Sequence, residues 1–525
     1  MQRLELISSS SSSSRKGDCY HSNDRDDLVR LLTYDVLGII FSHLSFRERI
    51  RCTRVSRSWR LFLLSWPDLW HTIADRYVNL DTNLLPYLAY FSAKHVRTVR
   101  IPEFSQQSVQ FFINQSLEVP CRPTTLMSVH DMLLFACDTL TDLTIHSGVG
   151  DKLLDTVLDH CPNLISFQYS HSGFYSFPHR QHQHHQETGS NGFETTGKRY
   201  AQRPDLLRLV LDIPLDEQRL LSILSSCPNL RQLQLRSSDM QFGYFDVTLR
   251  FIHSYHRQLQ HLRLYGGIAA ARSSSSSFPP LLSFRLNHQH HEITTQRQGL
   301  RELWLIGTDE GSSTHVLPLI HQHHTTLTSL HIQGTPLTSN AMACLASYRY
   351  PALTGLHIQL THYSPLASDL CSLIRHAPNL TDVALSSFTA TNTVSDPVLD
   401  ALPSGIRHFK LLQRQSYSNN NLTSQALIHF LQRAGPSIQE FHLPNVQAVT
   451  DNVLDVLSSQ QRHTYSLETL DVHGNEQITS AGIRRLIDSL GDSLKWMNLG
   501  QCPLITLDTV QYARDKLSSS AKIYT

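Results

Sequence analysis

The feature that most constrains this chain is a spacing, L-x-x-L-x-L, that returns along most of its length. It reads Leu140/Leu143/Ile145, Leu164/Phe167/Tyr169, Leu206/Leu209/Leu211, Leu230/Leu233/Leu235, Leu259/Leu262/Leu264, Leu281/Phe284/Leu286 and Leu300/Leu303/Leu305. It continues as Leu327/Leu330/Ile332, Leu353/Leu356/Ile358, Leu380/Val383/Leu385, Ile406/Phe409/Leu411, Ile438/Phe441/Leu443, Leu467/Leu470/Val472 and Leu494/Met497/Leu499. These 14 copies cover 354 residues, a mean period of about 27, and Val96/Val99/Ile101 reads as an earlier copy. Alternate residues of a strand point to opposite faces, so the second and third apolar positions enter a core and the residue between them faces out. The remainder of the period is helical in pattern, as at 151–158 and 481–487. One strand and one helix cannot close a core, but a stack of such units can. The spacing therefore predicts an α/β solenoid, curved, with a parallel sheet on the concave face and helices on the convex face.

Low-complexity runs interrupt the pattern. Seven serines at 8–14 place a disordered Ser-rich leader over 1–27. The Gln/His run at 179–186 falls in the long gap between Leu164 and Leu206, and a second serine run occupies 273–277. Both read as loop insertions, near 171–203 and 270–279, in a solenoid that runs over 139–525. Residues 76–138 read as a linker with the first divergent repeats.

Composition narrows the function classes. Lys+Arg number 45 against 44 Asp+Glu, which gives no support for bulk binding to nucleic acid or membrane. Nine cysteines, none in a C-x-x-C, favour neither a disulfide framework nor a cysteine-based zinc site. The sequence has no signal-peptide core and no apolar run of membrane-spanning length, so a cytoplasmic and/or nuclear location is expected. It contains no phosphate loop, nucleophile elbow, zinc-protease helix or kinase signature, and a non-catalytic protein without cofactors is expected. The histidine groups 182/184/185, 288/290/291 and 321/323/324 could bind a transition metal, but the alternation is typical of low complexity and no metal site is expected.

The N-terminal segment, 28–73, has a different pattern. Val36, Leu37, Ile40, Phe41 and Leu44 share one helix face. Ser45-Phe46-Arg47-Glu48 is a capping box that opens a second helix. Val55, Trp59, Phe62 and Leu63 follow, then Trp66-Pro67 and Asp68-Leu69-Trp70. About 45 residues in three short helices lie near the lower limit of independent stability, so such a unit is expected to lean on a partner. Arg47, Arg49, Arg51, Arg54, Arg57 and Arg60 lack an aromatic stacking platform and read as a solvated or partner-contacting face, not a nucleic-acid site.

Leu32-Thr33-Tyr34-Asp35-Val36-Leu37, Ile40-Phe41, Leu44, Val55-Ser56-Arg57-Ser58-Trp59 and Leu69-Trp70 together resemble the F-box signature over 28–75. Thr33 stands where that family usually has proline and can serve as the helix N-cap. Cys161-Pro162-Asn163-Leu164, Cys227-Pro228-Asn229-Leu230 and Ala377-Pro378-Asn379-Leu380 resemble the cysteine-containing leucine-rich-repeat subclass. The chain as a whole resembles an F-box/leucine-rich-repeat protein. The resemblance implies the substrate-recognition subunit of an SCF-type cullin–RING ubiquitin ligase. Its F-box would bind the S-phase-kinase-associated adaptor, and through it a cullin and a RING subunit, with Leu32, Leu37, Ile40, Phe41, Leu44, Val55, Trp59 and Trp70 as adaptor-binding residues. The alternative is a leucine-rich-repeat interaction scaffold with no ubiquitin-ligase role. The target is an unknown protein. Among outward positions of the repeats, Arg236, His261, Arg263, Tyr265, Arg285, Trp304, His331 and His357 form a basic and aromatic stripe with little acid, and the expected ligand is an acidic or phosphorylated segment.

Overall fold

The computed structural model describes residues 28–74, 95–101, 137–146, 152–170, 200–213, 215, 217–237, 248–249, 251–253, 258–266, 299–307, 310–334, 337, 339–360, 367–387, 394–413, 422–460, 467–490, 493–517 and 521–525. The expected leader and the Gln/His and serine runs of the two insertions lie outside these residues, as does the repeat copy Leu281/Phe284/Leu286 with Arg285. The chain divides into two compact units, the first holding the described residues up to Val99 together with 137–139, the second the rest.

The first unit is helical: α1 (Leu28–Leu31), α2 (Tyr34–Ser42), α3 (Phe46–Cys52) and α4 (Arg57–Ser65), then a 3₁₀ turn at Pro67–Trp70 and the strand β1 (Thr72–Ala74). The capping box forms: the Glu48 amide donates to Ser45 Oγ, and the Ser45 amide donates to Glu48 Oε2 at 2.8 Å. Thr33 takes the N-cap position of α2, but its side chain makes no capping hydrogen bond. Leu37, Phe41, Ile50, Leu63 and Trp70 are the centre of the core. Trp70 Nε1 donates to the Leu63 carbonyl at 2.7 Å, which satisfies the one polar group this large ring buries. Gly38 is required by packing, because the Trp66 ring, stacked on Tyr34, occupies the place of a Cβ.

The second unit is the solenoid. Its strands are β3 (Asp142–His146), β4 (Ser166–Ser170), β5 (Arg208–Asp212), β6 (Gln232–Ser237), β7 (His261–Gly266), β8 (Glu302–Ile306) and β9 (Ser329–Gln333). They continue with β10 (Gly355–Leu360), β11 (Asp382–Ser387), β12 (His408–Gln413), β13 (Glu440–His442), β14 (Thr469–Asp471), β15 (Trp496–Asn498) and β16 (Lys522–Tyr524); β2 (Thr98–Ile101) precedes them. From β3 to β16 each strand pairs in parallel with the next in sequence order. The helices between them include α5 (Lys152–His160), α6 (Glu217–Ser226), α7 (Glu310–His323), α8 (Ser339–Ser347) and α9 (Ala367–Arg375). They end with α10 (Asp396–Ala401), α11 (Ser424–Ala434), α12 (Asp451–Gln460), α13 (Ser480–Leu490) and α14 (Leu507–Lys516). Leucines of successive strands stack on one another, so Leu209, Leu233, Leu262, Leu303 and Leu330 are all fully buried in register.

The structure departs from the sequence pattern at two places. β7 pairs directly with β8, so Arg263 and Trp304 are neighbours with no strand between them. β16 has no motif, because its anchors would read Ser520/Ile523/Thr525, two of them polar. Of the insertion expected near 171–203, residues 200–203 are described, and they pack against the solenoid. Tyr200 is buried and donates to Asp155 Oδ1 at 2.6 Å; Arg203 is buried in the place of the repeat cysteine and donates from Nε to the Leu158 carbonyl at 2.9 Å.

Candidate partner-binding faces

In the first unit α2 has two apolar faces. Leu37 and Phe41 point inward, while Val36, Ile39 and Ile40, three and four residues apart, face outward. Ile39 is 62% exposed, and Leu31, Tyr34, Val55 and Leu61 are also exposed. Water-exposed apolar side chains at this density on so small a unit form a patch of the kind suited to a protein interaction. The residues expected to bind the adaptor therefore separate. Ile40 and Val55 are exposed; Leu32, Leu44 and Trp59 are half-buried. Leu37, Phe41 and Trp70 are 1% exposed and belong to the domain's own core, where three short helices do suffice to enclose them. Leu31, Ile39 and Leu61 were not among the expected residues; Ile39 completes the i, i+3, i+4 set with Val36 and Ile40, and that spacing was its signal. The arginine cluster also divides: Arg49 Nε donates to the Leu44 carbonyl at 2.8 Å and Arg60 Nε to the Thr53 carbonyl at 3.0 Å, so both tie helices together. Burial lowers the pKa of the Arg49 guanidinium from its ordinary value.

In the solenoid the residues at the outward position form one row in strict register, Val210 among them being buried: Thr144, Gln168, Val210, Gln234, Arg263, Trp304, His331, His357, Ala384, Lys410, His442, Asp471, Asn498 and Tyr524. Its middle is a stacked ladder. The Arg263 guanidinium lies 4.2 Å from the Trp304 ring centre; the Trp304 and His331 rings are 4.9 Å apart, and so are those of His331 and His357. The spacing follows from the parallel sheet, whose strands lie about 4.8 Å apart. Arg236 and Tyr265 adjoin the ladder, with 6.0 Å between guanidinium and ring.

The stripe is not short of acid. Glu302 Oε2 accepts from Arg263 Nη2 at 2.9 Å and lies 3.3 Å from His261; Asp382 is 3.2 Å from His357 Nε2; Asp212 is 3.7 Å from Arg236. These carboxylates sit on the outward rows beside the one the motif marks, so reading only the central position of each copy missed them. Burial alone would raise the Glu302 carboxyl, but hydrogen bonds from Arg263 and His261 outweigh it and hold it below the usual carboxylate range. Asp382 is likewise lowered, burial being outweighed by His357. Burial pushes the His331 imidazole below its ordinary value, and its Nε2 lies 3.2 Å from Gln333 Oε1. A second aromatic group lies near the C-terminal end, where His442 and Trp496 rings are 5.8 Å apart and Trp496 and Tyr524 rings 5.6 Å. His321 and His324 pack on the Tyr348 ring, and His323 Nδ1 accepts from the Leu300 amide. Among the described residues no cluster of three His, Cys, Asp or Glu is arranged to hold a metal ion, and no helix is long and apolar enough to cross a membrane.

The F-box-like family matches residues 34–76. No curated protein matches the chain. Among solved structures, a chain of the yeast Rad7–Elc1 complex is 12% identical, with a TM-score of 0.40, over 94% of this chain and 98% of that one. The leucine-rich-repeat protein LegL7 from Legionella pneumophila is 16% identical, with a TM-score of 0.26, over 43% of this chain and 74% of that one. The chain carries an F-box-like domain followed by a solenoid of the leucine-rich-repeat type.

Proposed function

We propose that this chain is the substrate-recognition subunit of an SCF-type cullin–RING ubiquitin ligase. The observation that carries the reading is the exposed apolar face of α2 on an F-box-like domain, in one chain with a parallel solenoid that presents an aromatic row. The F-box-like domain, 28–75, binds the S-phase-kinase-associated adaptor, which joins it to the cullin and the RING subunit. Val36, Ile39, Ile40 and Val55 make the contact, with Leu32, Leu44 and Trp59 at its border; Leu37, Phe41 and Trp70 hold the face in shape from within. The solenoid holds a target protein on Arg236, His261, Arg263, Tyr265, Trp304, His331 and His357. The chain supplies no catalytic group. It raises the concentration of target lysines near the charged conjugating enzyme, and proximity provides the acceleration. Such a ligase works inside the cell, in the cytoplasm, the nucleus or both.

The test is titration calorimetry of the full chain with purified adaptor. Ile39→Asp puts a charge into a dry apolar contact and is expected to weaken binding at least about 100-fold, with the unfolding midpoint unchanged. Wild-type affinity in that variant would take the contact away from α2, and no binding by the folded wild-type chain would rule the reading out.

A further inference from the structure

Polar side-chain atoms that are covered in a folded protein are almost always hydrogen-bonded, and an exception asks for a reason. Seven such atoms among the described residues have no partner, and three of them, Arg263 Nε, Trp304 Nε1 and His331 Nδ1, lie on three consecutive rungs of the ladder. The ladder is no part of the solenoid's core: Arg263 keeps 29% of its side-chain surface exposed, and the side chains of Trp304 and His331 are half-buried. The unpartnered atoms therefore belong to a surface that is one step from solvent and is incompletely satisfied without a ligand.

The charge of this surface decides what that ligand is. Arg263 and His261 converge on Glu302, and His357 is held by Asp382, so the charged groups of the ladder are already engaged with one another. An anionic segment would meet both carboxylates and would have to draw Arg263 away from Glu302 and off the Trp304 ring. In the tautomer that donates Nε2–H to Gln333, His331 Nδ1 is an acceptor. The unpartnered set is then two N–H donors beside one acceptor. That is the complement of a neutral amide, which carries both a carbonyl oxygen and N–H groups. Tyr265 and Ile306, in register on the next outward row, add apolar surface.

We propose that the ladder binds an uncharged polypeptide segment that presents an Asn or Gln carboxamide beside an aromatic or aliphatic residue. This rests on the reading of the solenoid as the target-binding part, and it replaces the acidic or phosphorylated ligand that a count of basic residues suggests. Charge balance and the unpartnered atoms point to the same occupant independently.

The experiment pans a display library of random peptides, long enough to span the roughly 20 Å from β7 to β11, on the immobilised full chain at neutral pH. Selected peptides are then titrated by fluorescence anisotropy beside phosphoserine and polyaspartate peptides. The expected result is a selected set without net charge, rich in Asn, Gln and aromatic residues. Trp304→Ala and His331→Ala are each expected to weaken its binding at least about tenfold, Trp304→Phe, which keeps the ring but removes the Nε1–H donor, to weaken it in part, and Asn498→Ala to stay close to wild type. Circular dichroism confirms that each variant is folded. Selection of acidic peptides, tighter binding of the phosphoserine probe, binding indifferent to both ladder variants, or no selected peptide overturns the proposal. Adaptor binding by the same preparation separates the two readings. Adaptor bound with acidic peptides selected leaves the receptor reading standing alone, and ladder-dependent amide peptides with no adaptor bound leave the ladder standing alone.

Discussion

Gly482, in the first turn of α13, has the Asp451 carboxylate where a Cβ would stand. Asp451 is fixed there because its two oxygens accept from the Thr479 amide at 2.8 Å and the Thr479 hydroxyl at 2.6 Å. Gly482→Ala must push the carboxylate out and break both bonds. Its expected cost is about 1–3 kcal/mol in urea unfolding, whereas Gly405→Ala, with nothing within 4 Å of the added carbon, should cost nothing measurable. His331 gives a second expectation. Burial keeps its folded pKa below the unfolded value near 6.5, so the unfolded chain takes up the proton first as pH falls. The stabilising contribution is complete above that value and is lost as pH drops through the folded pKa. Unfolding midpoints followed from pH 7 to 5 should therefore fall, and His331→Gln should flatten the slope. Neither environment was legible in the sequence. Gly482 was only one residue of a helical pattern, and His331 could be placed on the outward stripe but its burial could not be read; what distinguishes each is a neighbour about 30 residues away, and only the stacking of repeats brings it close.

At the scale of the element, each repeat is fastened to the next by more than its core. Asp396, at the start of α10, accepts from the amide and the hydroxyl of Thr423, both at 2.8 Å, and Asp451, at the start of α12 two helices later, repeats the arrangement with Thr479. An aspartate in the first turn of one helix thus caps the chain entering the following helix, where it also faces the positive end of the dipole. Replacing Asp451 by Ala should speed amide hydrogen exchange at the start of α13 more than in α10. The strand leucines set the larger scale. Leu470 is fully buried between β13 and β15, and Leu470→Ala should cost about 2–5 kcal/mol; Leu507, 84% exposed on α14, should tolerate the same change. The strands were readable in advance because period two and period 27 coincide on the same leucines. β16 was not, since its pairing partner β15 dictates a strand where the side chains alone do not. Thr33 shows the converse: its residue type and place suit a cap, yet the capping bond is not made, and the backbone alone begins α2.

At the scale of the whole molecule, the two proposed contacts use different residues of different units, and they should separate. Ile39→Asp is expected to abolish adaptor binding and leave peptide capture by the ladder within about twofold of wild type, and Trp304→Ala to do the opposite; calorimetry against each ligand checks both. The row from Thr144 to Asn498, though not Tyr524 at its end, could be written down from the sequence, with Arg285 outside the described residues. Its chemistry could not, because whether Arg263 offers a free charge depends on Glu302, which lies 39 residues away along the chain. The inward or outward sense of Leu37 and Ile39 was likewise undetermined, since an α2 that is apolar on both sides gives periodicity no polar face to work with. The strict order of the sheet, each strand pairing only with its sequence neighbours, also has a mechanical meaning. Pulled from Thr525 in an optical trap, the solenoid has no contact that must hold all repeats at once, so β16, β15 and β14 should peel off in turn. Each event would release the 26 or 27 residues between one strand start and the next, a step of about 9 nm. The force trace would then be a series of teeth of nearly equal spacing, where a protein with one shared core gives a single rupture.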